Sequence, residues 1–205
     1  MPPVELLGFA GGFIGLSVSI PQIFRVISTR SYVGVSTTTW MIYTSMATGW
    51  LAYGLNIDSI SQIITNAISA LATGILATIL LRQWMNYVLA GALVLLVWAA
   101  GFVLVRFGGL ELATIFLSIG MTSRLPQLFT SFNSMRLARY TSVSRGTFAL
   151  MLLSSLCWIA YGAIDDQPIV LWLALVTSVM SILIILFETG ARRRALARTG
   201  TNLEK

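Results

Sequence analysis

The sequence predicts an all-α membrane protein of seven transmembrane helices, with two similar three-helix units on either side of a single linker helix. Three observations carry this expectation. Apolar runs of about 20 residues recur along the chain, the length a helix needs to cross a hydrocarbon layer of about 30 Å. Basic residues gather on alternate breaks between those runs. The first part of the chain also reappears in the second at a nearly constant offset. Composition agrees: 57% of the residues are hydrophobic and 10% charged, where a soluble domain carries about a quarter charged.

The first span is expected over 5–27. The preceding Met-Pro-Pro-Val-Glu lacks the basic region of a cleaved leader, so this segment reads as a span rather than a signal. Gly8, Gly11, Gly12 and Gly15 form overlapping small-xxx-small pairs suited to close helix packing, and Pro21-Gln22 follows. After the break from Ser28 to Gly34, the second span (37–55) closes on Trp50-Leu51-Ala52-Tyr53-Gly54. Asn56 to Ser59 turns the chain into the third span (60–81), which holds Asn66. Arg82-Gln83 leads to the fourth (87–106), almost free of polar groups between Tyr87 and Arg106 and therefore expected to face lipid as an inert linker. Phe107-Gly108-Gly109 precedes the fifth (110–132), with Arg124, Pro126 and Gln127 inside it. The sixth (147–164) holds Cys157 and Trp158, and the seventh (169–187) holds Thr177, Ser178 and Ser181.

Charge sets the expected orientation. With the N-terminus outside, Arg25, Arg30, Arg82, Arg136, Arg139, Arg145, Arg192, Arg193, Arg194, Arg198 and Lys205 all fall on the cytoplasmic side, eleven of the 13 basic residues. Basic residues are retained on that side, so the C-terminus is expected there too. The net charge of +6 thus follows topology and the lipid surface, and no nucleic-acid partner is expected. A single cysteine and no histidine exclude a His/Cys zinc site and the usual Ser-His and Cys-His nucleophile pairs. No metal, cofactor or enzymatic role is expected.

Pro21-Gln22-Ile23-Phe24 matches Pro126-Gln127-Leu128-Phe129 at an offset of 105. Val35-Ser36 matches Val143-Ser144, and Trp50-Leu51-Ala52-Tyr53-Gly54 matches Trp158-Ile159-Ala160-Tyr161-Gly162, both at 108. Ser69 falls on Thr177 and Thr73 on Ser181 at the same offset. Two three-helix units in one orientation need an odd helix between them. The expected organisation is 1–81 as first unit, 82–109 as linker, 110–187 as second unit and 188–205 as a basic cytoplasmic tail.

At these residues the chain resembles the PQ-loop superfamily, and within it the SWEET and SemiSWEET sugar transporters. Pro-Gln, a basic loop, Val-Ser and Trp-x-x-Tyr-Gly, all present twice, carry the resemblance over residues 5–81 and 110–187. It implies a 3+1+3 fold of parallel repeats and a facilitator of a small neutral solute, a mono- or disaccharide, in the plasma membrane. One chain holds both repeats, so a monomer suffices and a homo-oligomer is not excluded. This chain lacks the prolines that eukaryotic SWEETs carry in the second and sixth spans, and is nearer the SemiSWEET pattern.

Proline removes the hydrogen bond to the carbonyl four residues back, here Ser17 for Pro21 and Thr122 for Pro126. Both prolines, with Gln22 and Gln127, are expected as gating hinges, the role the resemblance also implies. Trp50 lies five residues from the end of its span, about 7.5 Å, and Asn66 six residues into the next, about 9 Å, at 1.5 Å per residue. An indole face and a carboxamide at one level suit a sugar's C–H face and hydroxyls. The resemblance places the pocket at this pair, and Trp158 repeats Trp50. Asn66 maps onto Ala174, so the second unit offers Thr177 and Ser178 instead of an amide. Arg124, an arginine inside a span, is a binding candidate that either attracts a carboxylate or snorkels to the interface. It keeps open a carrier of amino acids or other carboxylate-bearing solutes. A non-transporting PQ-loop-type receptor is the remaining alternative. No acidic residue is expected deep in a span, which points to passive, uncoupled alternating access.

Overall fold

Eight helices build the described part of the chain, a computed structural model covering residues 2–30, 32, 35–138 and 144–203, the side chains of Gln22 and 198–203 excepted. They are α1 (Pro3–Thr29), α2 (Thr37–Asn56), α3 (Ile60–Leu81), α4 (Tyr87–Phe107), α5 (Gly109–Thr122), α6 (Leu125–Leu137), α7 (Arg145–Ile164) and α8 (Pro168–Leu203). Gly34, Arg139, Val143 and Lys205, used above for turns, orientation and the repeat, lie outside the described residues, as do the side chains of Gln22 and Arg198. By length and composition, α1, α3, α4, α7 and the Pro168–Ala197 part of α8 are apolar enough to cross a membrane. The chain is an integral membrane protein by that measure.

The repeated residues have local reasons. Ser36 caps α2 by accepting from the Thr39 amide at 3.2 Å, and Ser144 caps α7 by accepting from the Thr147 amide at 3.3 Å. A serine hydroxyl at this position satisfies an amide that the first helical turn leaves without a partner. At the other end of the same helices, the Ser59 amide donates to the Gly54 carbonyl at 2.9 Å and the Gln167 amide to the Gly162 carbonyl at 2.8 Å. Asp58 (φ 54°) and Asp166 (φ 52°) take the left-handed conformation within these two turns. Two turns with the same bonds at a constant offset follow from Tyr-Gly in the last helical turn and Asp four residues after that glycine, where a short polar side chain tolerates positive φ.

α1 packs between α3 and α7, α2 packs on α3, α4 and α5, and α8 packs on α7, α6 and α5. One buried cluster joins Val4, Ala52 and Tyr53 to Ala113, Leu117, Tyr161 and Leu173, and so ties both halves together at the end where α1 begins. The other buried cluster, around Val26, Trp40, Leu80 and Val94, belongs to the first half and α4 alone.

Three expectations change. The fifth span is not continuous: it breaks at Ser123-Arg124 into α5 and α6. Pro126 has no amide to give the Thr122 carbonyl, and the hydroxyls of Thr122 and Ser123 bond back to the carbonyls of Ile119 and Gly120, each at 2.7 Å. Pro21, by contrast, sits inside an unbroken 27-residue α1. Second, the segment from 188 onward continues α8, which runs 36 residues, or about 54 Å. Glu188 and Ala191 are buried in it. Third, α4 does not face lipid all round. Its Gly101 lets it approach the Ser45 carbonyl, and the Trp98 indole donates to Thr44 Oγ1 at 2.5 Å.

Candidate functional site

A single glycine-lined face of α1 and the polar stripe of α3 open the centre of the molecule. On α3, Gln62, Asn66, Ser69 and Thr73 recur at helical spacing. They form one wall of a cavity of about 690 Å³, whose other walls come from α1, α2, α5, the start of α6, α7 and α8, with no residue of α4. The facing wall on α8 is largely aliphatic, with Val170, Leu173 and Ala174 before Thr177. The size is that of a small-molecule site.

Trp50, Asn66, Trp158, Thr177, Arg124, Pro126 and Gln127 all line this cavity. Trp50 stands edge-on to Tyr53 (5.6 Å, 82°) and Trp158 edge-on to Tyr161 (5.4 Å, 70°), the same i, i+3 pair in each unit. These T-shaped pairs hold the indoles in place. Gly11 of α1 faces the Trp158 indole, and Ser154 donates to the Gly11 carbonyl at 2.7 Å, so α7 is tied to α1 beside it. The Asn66 side chain does not bridge to another helix. Its Nδ2 donates to the Gln62 carbonyl at 2.9 Å on its own helix, which leaves the amide oxygen as an acceptor on the cavity wall.

The remaining site expectations are placed elsewhere. Ser178 is not on the cavity wall: it is buried, sharing a 2.7 Å hydrogen bond with Ser155, because α7 and α8 pack closely there. Pro21 is exposed on α1 and does not line the cavity. Of Gln22 only the backbone is described. Gln127 reaches Ser131 with its Nε2 at 3.2 Å.

Arg124 sits at the break before α6, where its guanidinium meets Met121 Sδ at 3.1 Å and Thr177 Oγ1 at 3.4 Å. Gln62 has a buried Nε2 without a hydrogen-bond partner among the described residues. The i, i+4 spacing of Gln62 and Asn66 was the signal for it, since it puts both amides on one face.

The two ends of the cavity differ. At the α1 start, Tyr53 donates to Gln167 Oε1 at 2.9 Å across the two halves, and Tyr161 is fully buried. Neither Tyr53 nor Gln167 was expected at the site, although both lie in the repeated turns. Towards the α1 end the lining passes through Ser19, Thr39, Pro126 and Thr147. There Phe24 and Phe129, the matched phenylalanines, are 68% and 63% exposed, and among the described residues no buried cluster joins the halves.

No family model matches the chain, and no curated protein matches it. Among solved structures it is similar to a eukaryotic SWEET transporter, with a TM-score of 0.68 at 13% identity over 92% of this chain and 98% of that one. The chain has the SWEET-like fold.

Proposed function

We propose that this protein is a membrane transporter that moves a small hydroxyl-rich solute, of the mono- or disaccharide class, by passive alternating access. The observation that carries the reading is the central cavity, which is closed at one end by contacts between the halves and has, among the described residues, no buried cluster between the halves at the other. A receptor has no need of a solute-sized chamber through its middle.

The helix contacts support a 3+1+3 arrangement. α1 meets α7 as α5 meets α2, α2 meets α3 as α7 meets α8, and α4 lies outside the cavity. With the SWEET-like fold and the doubled Pro-Gln and Trp-x-x-Tyr-Gly motifs, this favours the PQ-loop branch with both repeats in one chain and a monomer as the working unit. The basic residues favour an N-out, C-in placement in the plasma membrane, with the cavity open to the cytoplasm. Trp50, Trp158 and Asn66 bind the solute, and Pro126, at the broken span, is the hinge of the second unit. Among the described residues no acidic one lines the cavity, which supports transport without proton coupling.

The test is counterflow of labelled glucose and sucrose into proteoliposomes. Saturable flux that falls about tenfold or more in Asn66→Ala, the loss of a hydrogen-bonding group from a buried site, supports both the activity and the pocket. A folded preparation that carries no sugar or sugar derivative overturns the reading.

A further inference from the structure

Among the described residues, Arg124 is the single charged side chain on the cavity wall, and no aspartate or glutamate lines it. Among the described residues its polar contacts are a thioether sulfur at 3.1 Å and a hydroxyl at 3.4 Å. The first is a weak acceptor and the second lies beyond the usual hydrogen-bond length. Its Nε is buried with no partner. A guanidinium brings five N–H donors and a fixed charge, and a charge taken out of water without a counter-charge is costly inside a membrane protein. The first unit has Ser19 at the matched position, also on the cavity wall. The charge is therefore an addition to the repeat, not part of the shared helix architecture.

Arg124 is the residue from which the 13-residue α6 starts, directly after the carbonyl end of α5. The two helix ends oppose each other there and Pro126 brings no amide, so the positive charge at this point is that of the guanidinium itself.

We propose that the transported solute carries one carboxylate, which Arg124 holds, so that the solute class is a hydroxylated monocarboxylate, a sugar acid, in place of a neutral sugar. The inference rests on the transport reading above. Thr177 is a positioning residue: its hydroxyl donates to the Leu173 carbonyl at 2.8 Å, and its oxygen faces the guanidinium. It lies three residues beyond Ala174, the position matched to Asn66, or about 4.5 Å along the helix. Asn66 and Arg124 line the same cavity, so one solute within it has the Asn66 amide for its hydroxyls and Arg124 for its carboxylate. A zwitterionic amino acid fits less well, since no lining carboxylate receives its ammonium group. A dianion would bring one charge more than the wall neutralises.

The experiment measures counterflow of labelled glucuronate and labelled glucose in the same proteoliposomes, for the wild type, Arg124→Gln and Arg124→Lys, with folding of each checked by its thermal melt. The expected result is a wild-type glucuronate-to-glucose ratio above one. That ratio falls about tenfold or more in Arg124→Gln, as expected for losing a charge-assisted hydrogen bond, and is largely kept in Arg124→Lys. Glucuronate uptake without a counter-ion also speeds up under an inside-positive potential set by potassium and valinomycin. Glucose carried in preference to glucuronate overturns the inference and leaves the transport reading standing. Glucose flux that requires chloride, lost when isethionate replaces it, assigns Arg124 to an inorganic anion and also overturns the sugar-acid proposal. Flux of neither solute by folded protein overturns both.

Discussion

Gly54 and Gly162 end the paired motifs because nothing larger fits. A methyl group at Gly162 would lie 2.7 Å from the Leu171 amide nitrogen, and one at Gly54 2.8 Å from Gln62 Cβ and 3.0 Å from the Ile63 nitrogen. Backbone cannot step aside as a flexible side chain does. Gly162→Ala is expected to destabilise the protein by about 1–3 kcal/mol, the usual cost of overpacking. Gly91 on α4, with nothing within 4 Å of the added methyl, is the control: Gly91→Ala gains helix propensity and is neutral or stabilising by up to about 1 kcal/mol. Thermal unfolding in one detergent reads both, and equal shifts would contradict the close approach of helix and turn. The same motif shows what one sequence discloses at this scale. Val-Ser and Trp-x-x-Tyr-Gly were visible as repeated letters. That Ser36 and Ser144 are caps, and that the tyrosines hold the indoles edge-on, needed the hydrogen bonds and ring geometry. In sequence Ser178 is a pocket candidate as one of the polar groups nearest Ala174, yet a shift of one position from Thr177 turns a side chain by about 100°, here towards Ser155.

The two Pro-Gln segments read alike in sequence and differ in structure. After Pro21 the helix continues to Thr29; before Pro126 it stops. Beside the shared proline, one matched position differs in its hydrogen bonding. Ser123 bonds to the Gly120 carbonyl at 2.7 Å, whereas its counterpart in the first unit is Val18, which has no hydroxyl to compete for backbone carbonyls. α6 is further held to α8, where Arg194 donates to the Met135 carbonyl at 3.1 Å. Such a tie between distant segments leaves no mark in a local pattern, and the helical continuation of α8 beyond 188 was missed for the same reason: its basic composition resembles a solvated tail. These two elements separate in experiment. Pro21→Ala restores an amide inside a continuous helix and is expected to stabilise the protein, by up to about 3 kcal/mol, with little change in solute flux. Pro126→Ala removes the obstacle to joining α5 and α6, which would carry Arg124 off its present place on the cavity wall. Counterflow is expected to fall more in Pro126→Ala than in Pro21→Ala, and the reverse order would move the hinge to α1.

Among the described residues, a buried cluster joins the halves at one end of the cavity and none does at the other. The closed end has a buried cluster drawn from both halves and the Tyr53–Gln167 hydrogen bond; towards the other end the cavity lining runs past Ser19, Thr39, Pro126 and Thr147. If these are the two gates of one transporter, closing the second requires opening the first, since a cavity open at both ends would leak. The Tyr53 hydroxyl contributes to the balance without touching the cavity, as it is not among the lining residues. Tyr53→Phe removes one hydrogen bond worth about 1 kcal/mol, which shifts a two-state equilibrium about fivefold. Spin-label pairs report both ends: Asn56 with Asp166 at the closed end, Ser28 with Met135 at the open end. In the wild type the distances should match the present arrangement, with a minor population long at the first pair and short at the second. Tyr53→Phe should enlarge that minor population about fivefold at both pairs together. A lengthening at the closed end with no shortening at the open end would mean local loosening, and the two ends would then not be coupled gates.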